Sequence, residues 1–226
     1  MLIRGNVISE GGFGTAYHCI YNDKESVIKV SEPDNMVFIL NEIKILKDID
    51  NENIIKCLGY EDLYPEIFII LEFGGEDLYS LLHNGELHAN EKSDVTIQIL
   101  KGVKFLHENN ICHRDIKMEN ILYNFNTVKI IDFGFAYRYE VNEPHKNLTK
   151  KCGCRYYIAP EVYSYNIPYD GFAADIWSLG VCLFCLYSNL FLFEKPHISD
   201  PHYKAFEMSG SKISNYLTYY PGLKVE

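Results

Sequence analysis

The sequence predicts an α+β fold in two lobes, a small β-rich one (residues 1–72) with a single helix and a larger, mostly helical one (residues 73–226). Two observations predict it. Short apolar runs surround a glycine cluster in the first third of the chain, and helical periodicity dominates from Leu78 onward. A stretch with little periodicity, residues 136–158, reads as a long loop, which in a compact domain is usually functional.

The elements follow in order. Val7 and Ile8 lead into Gly11, Gly12 and Gly14. Residues 16–21 and 26–30 read as strands separated by the turn signal Asn22-Asp23-Lys24. Phe38, Ile39, Ile43, Ile45 and Leu46 give residues 35–49 a helical pattern, and residues 67–73 form a continuous apolar strand. Residues 94–108 and 173–192 read as helices, with short strands and loops over residues 111–135.

Composition narrows the function classes. Hydrophobic residues make up 47% and charged residues 23% of the 226-residue chain, as in soluble globular proteins. A net charge of −10 argues against a nucleic-acid surface, since phosphate backbones select basic faces. It fits either an ordinary solvated acidic surface or basic peptide partners. Seven scattered Cys form no disulfide framework and read as reduced thiols of a cytoplasmic or nuclear protein. Cys152, Cys154, Cys182 and Cys185 invite a zinc reading, but the second pair sits in an apolar run and reads as core. No charged flank and apolar core open the chain, and Leu2 after Met1 excludes a myristoylation signal. Ser178, Gly180, Ser188 and Asn189 interrupt the apolar stretch 176–193, which reads as a buried helix and not a membrane span.

Three blocks carry chemistry. In Ser9-Glu10-Gly11-Gly12-Phe13-Gly14-Thr15-Ala16, glycines let backbone N–H groups approach phosphates with no Cβ in the way. Alone, this block is equally an ordinary glycine turn. Lys29 follows Gly14 by 15 residues, inside an apolar strand where an unpaired ammonium is costly. Glu42 on the next helix is its natural partner, leaving Lys29 to hold the α- and β-phosphates. The third block decides the reading. His113-Arg114-Asp115-Ile116-Lys117-Met118-Glu119-Asn120 precedes Asp132-Phe133-Gly134 by 12 residues. Asp115 offers an acceptor for a substrate hydroxyl and Lys117 a cation for the transferring group. Asn120 and Asp132 offer hard oxygen ligands for Mg²⁺. Ala159-Pro160-Glu161 and Asp175-Ile176-Trp177-Ser178-Leu179-Gly180 complete the series. Each block alone reads as a cap or turn; their joint order does not.

From about Asn6 to about Ser209 the chain resembles the eukaryotic protein kinase family. That resemblance implies a bilobal fold with ATP and Mg²⁺ in the cleft and a protein or peptide substrate. ATP would meet Ser9, Gly11, Gly12, Phe13, Gly14, Ala16, Val27 and Lys29. Leu71 would be the gatekeeper, with Glu72, Phe73 and Gly74 as the hinge. Leu122 would lie under adenine, Asp132 would reach the phosphates through Mg²⁺, and Asp175 would brace the catalytic loop. Asp77 has two readings, a contact to the ribose hydroxyls or a helix N-cap. Lys117, two residues after Asp115, is similar to the serine/threonine branch. Tyr169-Asp170-Gly171 with residues 174–181 resembles the calmodulin-dependent and AMP-activated kinase group. Two other readings compete. A pseudokinase, a nucleotide-binding scaffold without turnover, would lack Lys29, Asp115, Asn120 or Asp132. A small-molecule kinase would lack the Ala-Pro-Glu and Asp-x-Trp blocks.

Departures from the family pattern set further expectations. Ser9 replaces the first glycine. Ala16 and Val27 exchange the family's Val and Ala above adenine, which conserves volume and implies a tilted seat. Cys154 replaces a Thr whose hydroxyl bonds the catalytic Asp and Lys; it reads as an isostere, a slower catalyst, or an oxidation switch if its pKa falls near Lys117. Arg114 implies an anion from the activation segment, with Thr149, among Lys146, Lys150 and Lys151, the nearest phosphorylation candidate. Glu119 stands where basic-directed relatives bind a substrate Arg. The family's last helices are missing after residue 209, which implies exposed apolar surface on the large lobe and a Glu161 without its usual Arg. The oligomeric state is left open.

Overall fold

The computed structural model describes residues 2–11, 14–31, 33–63, 66–124, 126–141, 148–164 and 167–217. The small lobe is a five-stranded antiparallel sheet built from β1 (Leu2–Gly11), β2 (Gly14–Tyr21), β3 (Lys24–Ser31), β4 (Cys57–Leu63) and β5 (Glu66–Glu72). Its strand order is β1-β2-β3-β5-β4. Asn22 and Asp23, at φ 51° and 62°, form the tight β2–β3 turn, so Lys24 is the first residue of β3 and pairs with Tyr21. Gly14 adopts φ 140°, and a Cβ there would lie 2.1 Å from the Val30 carbonyl oxygen. No other residue fits where β2 leaves the glycine hairpin.

Among the described residues of this lobe the one α-helix, α1 (Met36–Leu46), follows a 3₁₀ turn at Pro33–Asn35 and is shorter than the predicted 35–49. It buries Ile39, Glu42, Ile43, Ile45 and Leu46. Glu42 is the exception in an apolar face, and its burial foretells a charged partner.

The large lobe contains β6 (Glu76–Asp77), α2 (Leu78–His83), α3 (Ala89–Glu108), β7 (Ile111–Cys112), β8 (Ile121–Asn124), β9 (Thr127–Ile130), β10 (Tyr137–Arg138), α4 (Pro160–Tyr163), α5 (Gly171–Ser188), α6 (Pro201–Met208) and α7 (Ile213–Leu217). Helix α3 starts five residues before the predicted 94, because the Glu91 carboxylate accepts the His88 N–H at 2.9 Å and fixes the first turn. Helix α5 starts at the Asp170 cap, whose carboxylate accepts the Phe172 N–H at 2.9 Å. It stops at Asn189, in the left-handed conformation (φ 58°), short of the predicted 192.

By length and composition α5 is apolar enough to cross a membrane. In the fold it is a core helix: Leu179, Val181, Cys182, Cys185 and Leu186 pack into the main apolar cluster with Val95, Ile99 and Leu106 of α3. The same cluster reaches the small lobe through Phe133, Ile54 and Leu71. Among the described residues no group of three or more His, Cys, Asp or Glu side chains is placed to hold a metal ion, and Cys182 and Cys185 are core.

The large lobe does expose apolar surface. Ile97, Leu100 and Ile176 are 51%, 45% and 55% accessible, and a groove between α3 and α5 runs past Leu100, Val103, Ile176 and Leu179. Among the described residues Glu161 makes no ion pair. Within 136–158, β10 is the only strand or helix among the described residues, and Leu148 bridges to Tyr169.

Candidate active site

The site lies between the lobes. A cavity of about 220 Å³ is lined by Ser9, Gly11, Gly14, Ala16, Val27, Leu71, Ile55, Leu122 and Ile131 on its apolar side and by Lys29, Glu42, Asn120 and Asp132 at its polar end. Strand pairing places the upper wall: Ala16 stands opposite Lys29, and Val27 opposite Leu71. Gly12 and Phe13 lie outside the described residues.

Lys29 projects from β3 into the polar end. Its Nζ donates to Glu42 Oε2 at 2.7 Å and to Asp132 Oδ1 at 2.9 Å. Burial would lower the Lys29 pKa, but the two carboxylates outweigh it and hold the ammonium above its ordinary value. Burial would likewise raise Asp132, but Lys29, by charge and hydrogen bond, holds its carboxyl below the usual carboxylate range. The sign follows. A depressed folded-state pKa contributes stability that is fully present above the unfolded value, about 3.9, and is lost as pH falls through the folded value. Asp132→Asn is therefore expected to lose stability at pH 7 but to show a flatter acid limb than wild type. Urea unfolding from pH 2.5 to 7 measures both, and parallel acid limbs would contradict the pairing.

The catalytic loop is organised around Asp115, which is 4% accessible. Asp115 Oδ2 accepts from Lys117 Nζ at 2.9 Å and from Asn120 Nδ2 at 3.0 Å. Oδ1 accepts from the Cys154 backbone N–H at 3.1 Å. Asn120 Nδ2 also donates to the Asp115 carbonyl at 2.9 Å. Both donations turn the amide so that its oxygen is left for another partner. Burial would lower Lys117, but Asp115 outweighs it and raises the pKa. The loop itself hangs from Asp175 on α5, which accepts the N–H groups of His113 and Arg114, each at 2.7 Å.

Arg114 has φ 68°. Its guanidinium donates to the Tyr169 hydroxyl at 3.0 and 2.8 Å, to the Lys150 carbonyl at 2.8 Å and to the Phe135 carbonyl at 3.3 Å. These neutral acceptors tie β10's approach, the following segment and α5's approach to the catalytic loop.

One expectation needs correction, that of Cys154 as an oxidation switch. Asp77 caps α2: its Oδ1 accepts the Ser80 N–H at 2.9 Å and its Oδ2 the Ser80 hydroxyl at 2.8 Å. These bonds use one acceptor position on each oxygen, so the cap and a ribose contact are compatible. Cys154 is no low-pKa thiol, because burial pushes its pKa up despite nearby Lys117. Its backbone, and not its sulfur, holds Asp115. Of the hinge residues, Glu72 lines the cavity. Gly74 packs against the floor, where a Cβ would come within 2.7 Å of Leu122 Cδ1. Glu72 ties the hinge down, accepting the Lys56 N–H at 2.9 Å and Lys129 Nζ at 2.6 Å.

Sequence reasoning did not assign Ile55, Ile131 and Glu119 to the cavity wall. Ile131 could have been found from its place beside Asp132; Ile55 carries no local signal.

The arrangement is a cleft with an apolar slot, a fixed ammonium and a carboxylate–amide pair, opening on a carboxylate held by a second ammonium. Comparison with known proteins agrees. A family description, protein kinase domain, matches residues 3–219. The chain belongs to the protein kinase family. It is 34% identical over 183 residues to serine/threonine-protein kinase PRR2 of Saccharomyces cerevisiae, covering 79% of this chain and 26% of that protein. It is 36% identical over 170 residues to serine/threonine-protein kinase SIK2 of Gallus gallus, covering 74% and 21%. To CBL-interacting serine/threonine-protein kinase 15 of Arabidopsis thaliana it is 31% identical over 234 residues, covering 97% and 54%. The matched kinase region therefore spans between about a fifth and about half of these relatives.

Proposed function

We propose that this kinase transfers the γ-phosphoryl group of ATP to Ser or Thr hydroxyls of proteins. The observation that supports it most is the assembled Glu42–Lys29–Asp132 array, with both ion pairs formed, lining one cleft with Asn120, whose amide in turn bonds the Asp115 carboxylate. Ala16, Val27, Leu71 and Leu122 would enclose adenine. Lys29 would hold the α- and β-phosphates. Asp132 and the free amide oxygen of Asn120 fit a hard cation and would hold Mg²⁺, which when bound neutralises phosphate charge. Asp115 orients the acceptor hydroxyl, and Lys117 adds positive charge where negative charge grows.

For the substrate we propose a basic peptide segment. Glu119 supports this: one of its carboxylate oxygens is buried and bonded to nothing among the described residues. A net charge of −10 adds long-range attraction for basic chains. The acidic surface and unpaired thiols fit a cytoplasmic or nuclear protein acting away from membranes and nucleic acid. We further propose that Thr149 is an activating phosphorylation site. It is exposed beside Lys150, and Lys150, Arg114 and Lys44 line one cavity next to it. Lys146 lies outside the described residues.

The test is transfer from labelled ATP with Mg²⁺ to a pool of basic peptides and myelin-type protein, beside Asp132→Asn. Phospho-Ser or phospho-Thr that disappears in the variant supports the reading. Absence of transfer, with ATP still raising the melting temperature, sinks it in favour of a non-catalytic scaffold. Mass spectrometry of the fully active protein is expected to find Thr149 phosphorylated; an unmodified Thr149 there removes the switch.

A further inference from the structure

Asn41 lies on α1 immediately before Glu42. Its Nδ2 donates to the carbonyl oxygens of Phe133 at 3.1 Å, Gly134 at 3.1 Å and Ala136 at 2.8 Å. Only the NH₂ end of an amide can face three carbonyls, so these partners fix its orientation. An NH₂ group has two hydrogens, so at least one is shared.

The backbone that Asn41 grips is the 3₁₀ turn Phe133–Phe135. Such a turn leaves most of its carbonyls without backbone partners. It begins at Asp132, which has φ 66°. That left-handed conformation is uncommon for a non-glycine residue, and the surroundings of Asp132 hold it there. Helix α1 does so with two adjacent side chains. Glu42 Oε1 accepts the Phe133 N–H at 3.2 Å, while Asn41 supplies the donors for the carbonyls. One residue takes the N–H side of the turn and the other the C=O side. Phe38, one helical turn earlier, packs edge-on against Phe135 with ring centres 5.3 Å apart. A Cβ on Gly134 would come within 3.3 Å of Phe38 Cβ, so the turn lies close on the helix.

We propose that Asn41 is a positioning residue for phosphoryl transfer. It clamps the 132–136 backbone to α1 and so holds the Asp132 carboxylate where it meets Lys29 and the metal site. The proposal rests on the reading of Asp132 as a Mg²⁺ ligand. It differs from the role of Glu42, which acts on Lys29 directly.

The experiment compares wild type with Asn41→Ala and Asn41→Asp. Ala removes the donors; Asp keeps the size but sets a carboxylate against three carbonyl oxygens. Three quantities are read: hydrogen exchange along the chain, the Mg²⁺ midpoint for stabilising the ADP complex, and kcat with KM for ATP. Both variants are expected to exchange faster at residues 132–138, with the rest of the chain unchanged. The Mg²⁺ midpoint is expected to rise roughly 10-fold, as when a residue supporting a metal ligand is lost. kcat should fall by about 10-fold in Ala and further in Asp. ADP affinity in EDTA should stay within about twofold, because a support lost at the metal ligand leaves the rest of the cleft in place.

Asn41→Ala with wild-type exchange and Mg²⁺ midpoint overturns the proposal. So does a variant that loosens or melts throughout while its folded fraction keeps the wild-type midpoint, since the role is then only structural. A wild-type ADP complex that ignores Mg²⁺ removes the metal reading and this proposal with it. The exchange at 132–138 separately reports whether the clamp exists, so the two failures are distinguishable.

Discussion

Asp115→Asn is expected to lower kcat for phosphoryl transfer by ~10²–10⁴-fold while leaving ADP affinity within about twofold. The substitution keeps the shape of the side chain and its bond to the Cys154 N–H, which an amide oxygen also accepts. It fails at the other oxygen. There Lys117 Nζ and Asn120 Nδ2 both donate, and an Asn Nδ2 in that place would set a donor against two donors. The hydroxyl of the substrate loses its acceptor, and Lys117 and Asn120 lose the carboxylate that orients them. The nucleotide contacts attributed to Lys29, Ala16 and Leu122 are made by the lining of the cavity, which does not include Asp115, and are untouched. Single-turnover transfer with saturating peptide, beside fluorescent ADP titration, separates the two quantities. A kcat within about fivefold of wild type would remove Asp115 from the reacting centre, since general-base groups contribute far more. Equal loss of ADP binding would mean that the loop had collapsed.

Much of this site was legible because its chemistry is local in sequence. Asp115, Lys117 and Asn120 fall within one short loop, and Asp132 follows at a short distance along β8 and β9. Lys29 and Glu42 pair on an energetic argument legible in the sequence: a Lys in an apolar strand requires a carboxylate, and Glu42 stands on the next helix. What was not legible depended on backbone conformation. Asp77 precedes a helical pattern and also follows the hinge; the sequence serves both readings, and the start of α2 shows the cap. The positive φ of Arg114 is invisible in a residue type that rarely adopts it. Asn41 carries no motif of its own, since its partners are main-chain carbonyls more than 90 residues away. The helix limits moved for the same reason: Glu91 and Asp170 define starts through bonds to specific N–H groups, while apolar periodicity marks only the buried face.

Asp175→Ala is expected to destabilise the fold by on the order of 3 kcal/mol, the cost of leaving one buried and one half-buried N–H group without acceptors. Asp175 is 1% accessible and lies in the core helix α5. Its Oδ2 accepts the His113 N–H at 2.7 Å and contacts His107 Nε2 at 3.0 Å, and its Oδ1 accepts the Arg114 N–H at 2.7 Å. The position matters because Arg114 is strained. A non-glycine residue at φ 68° costs about 1–3 kcal/mol, and the charge-assisted bond from its own N–H is what opposes relaxation. Without it, Arg114 is free to leave the left-handed region, and Asp115, next in the chain, turns with it. Activity should therefore fall more than the unfolded fraction explains. Asp175→Asn provides the calibration, because its Oδ1 can satisfy one N–H but its NH₂ opposes the other. The expected order of stability is wild type, then Asn, then Ala, by urea unfolding. At a denaturant-free temperature where all three are folded, kcat should follow the same order. If Asp175→Ala matched wild type in kcat once the folded fraction was corrected for, the α5 carboxylate would be a packing element only, and the catalytic loop would owe its geometry to Asn120 and to the Cys154 backbone.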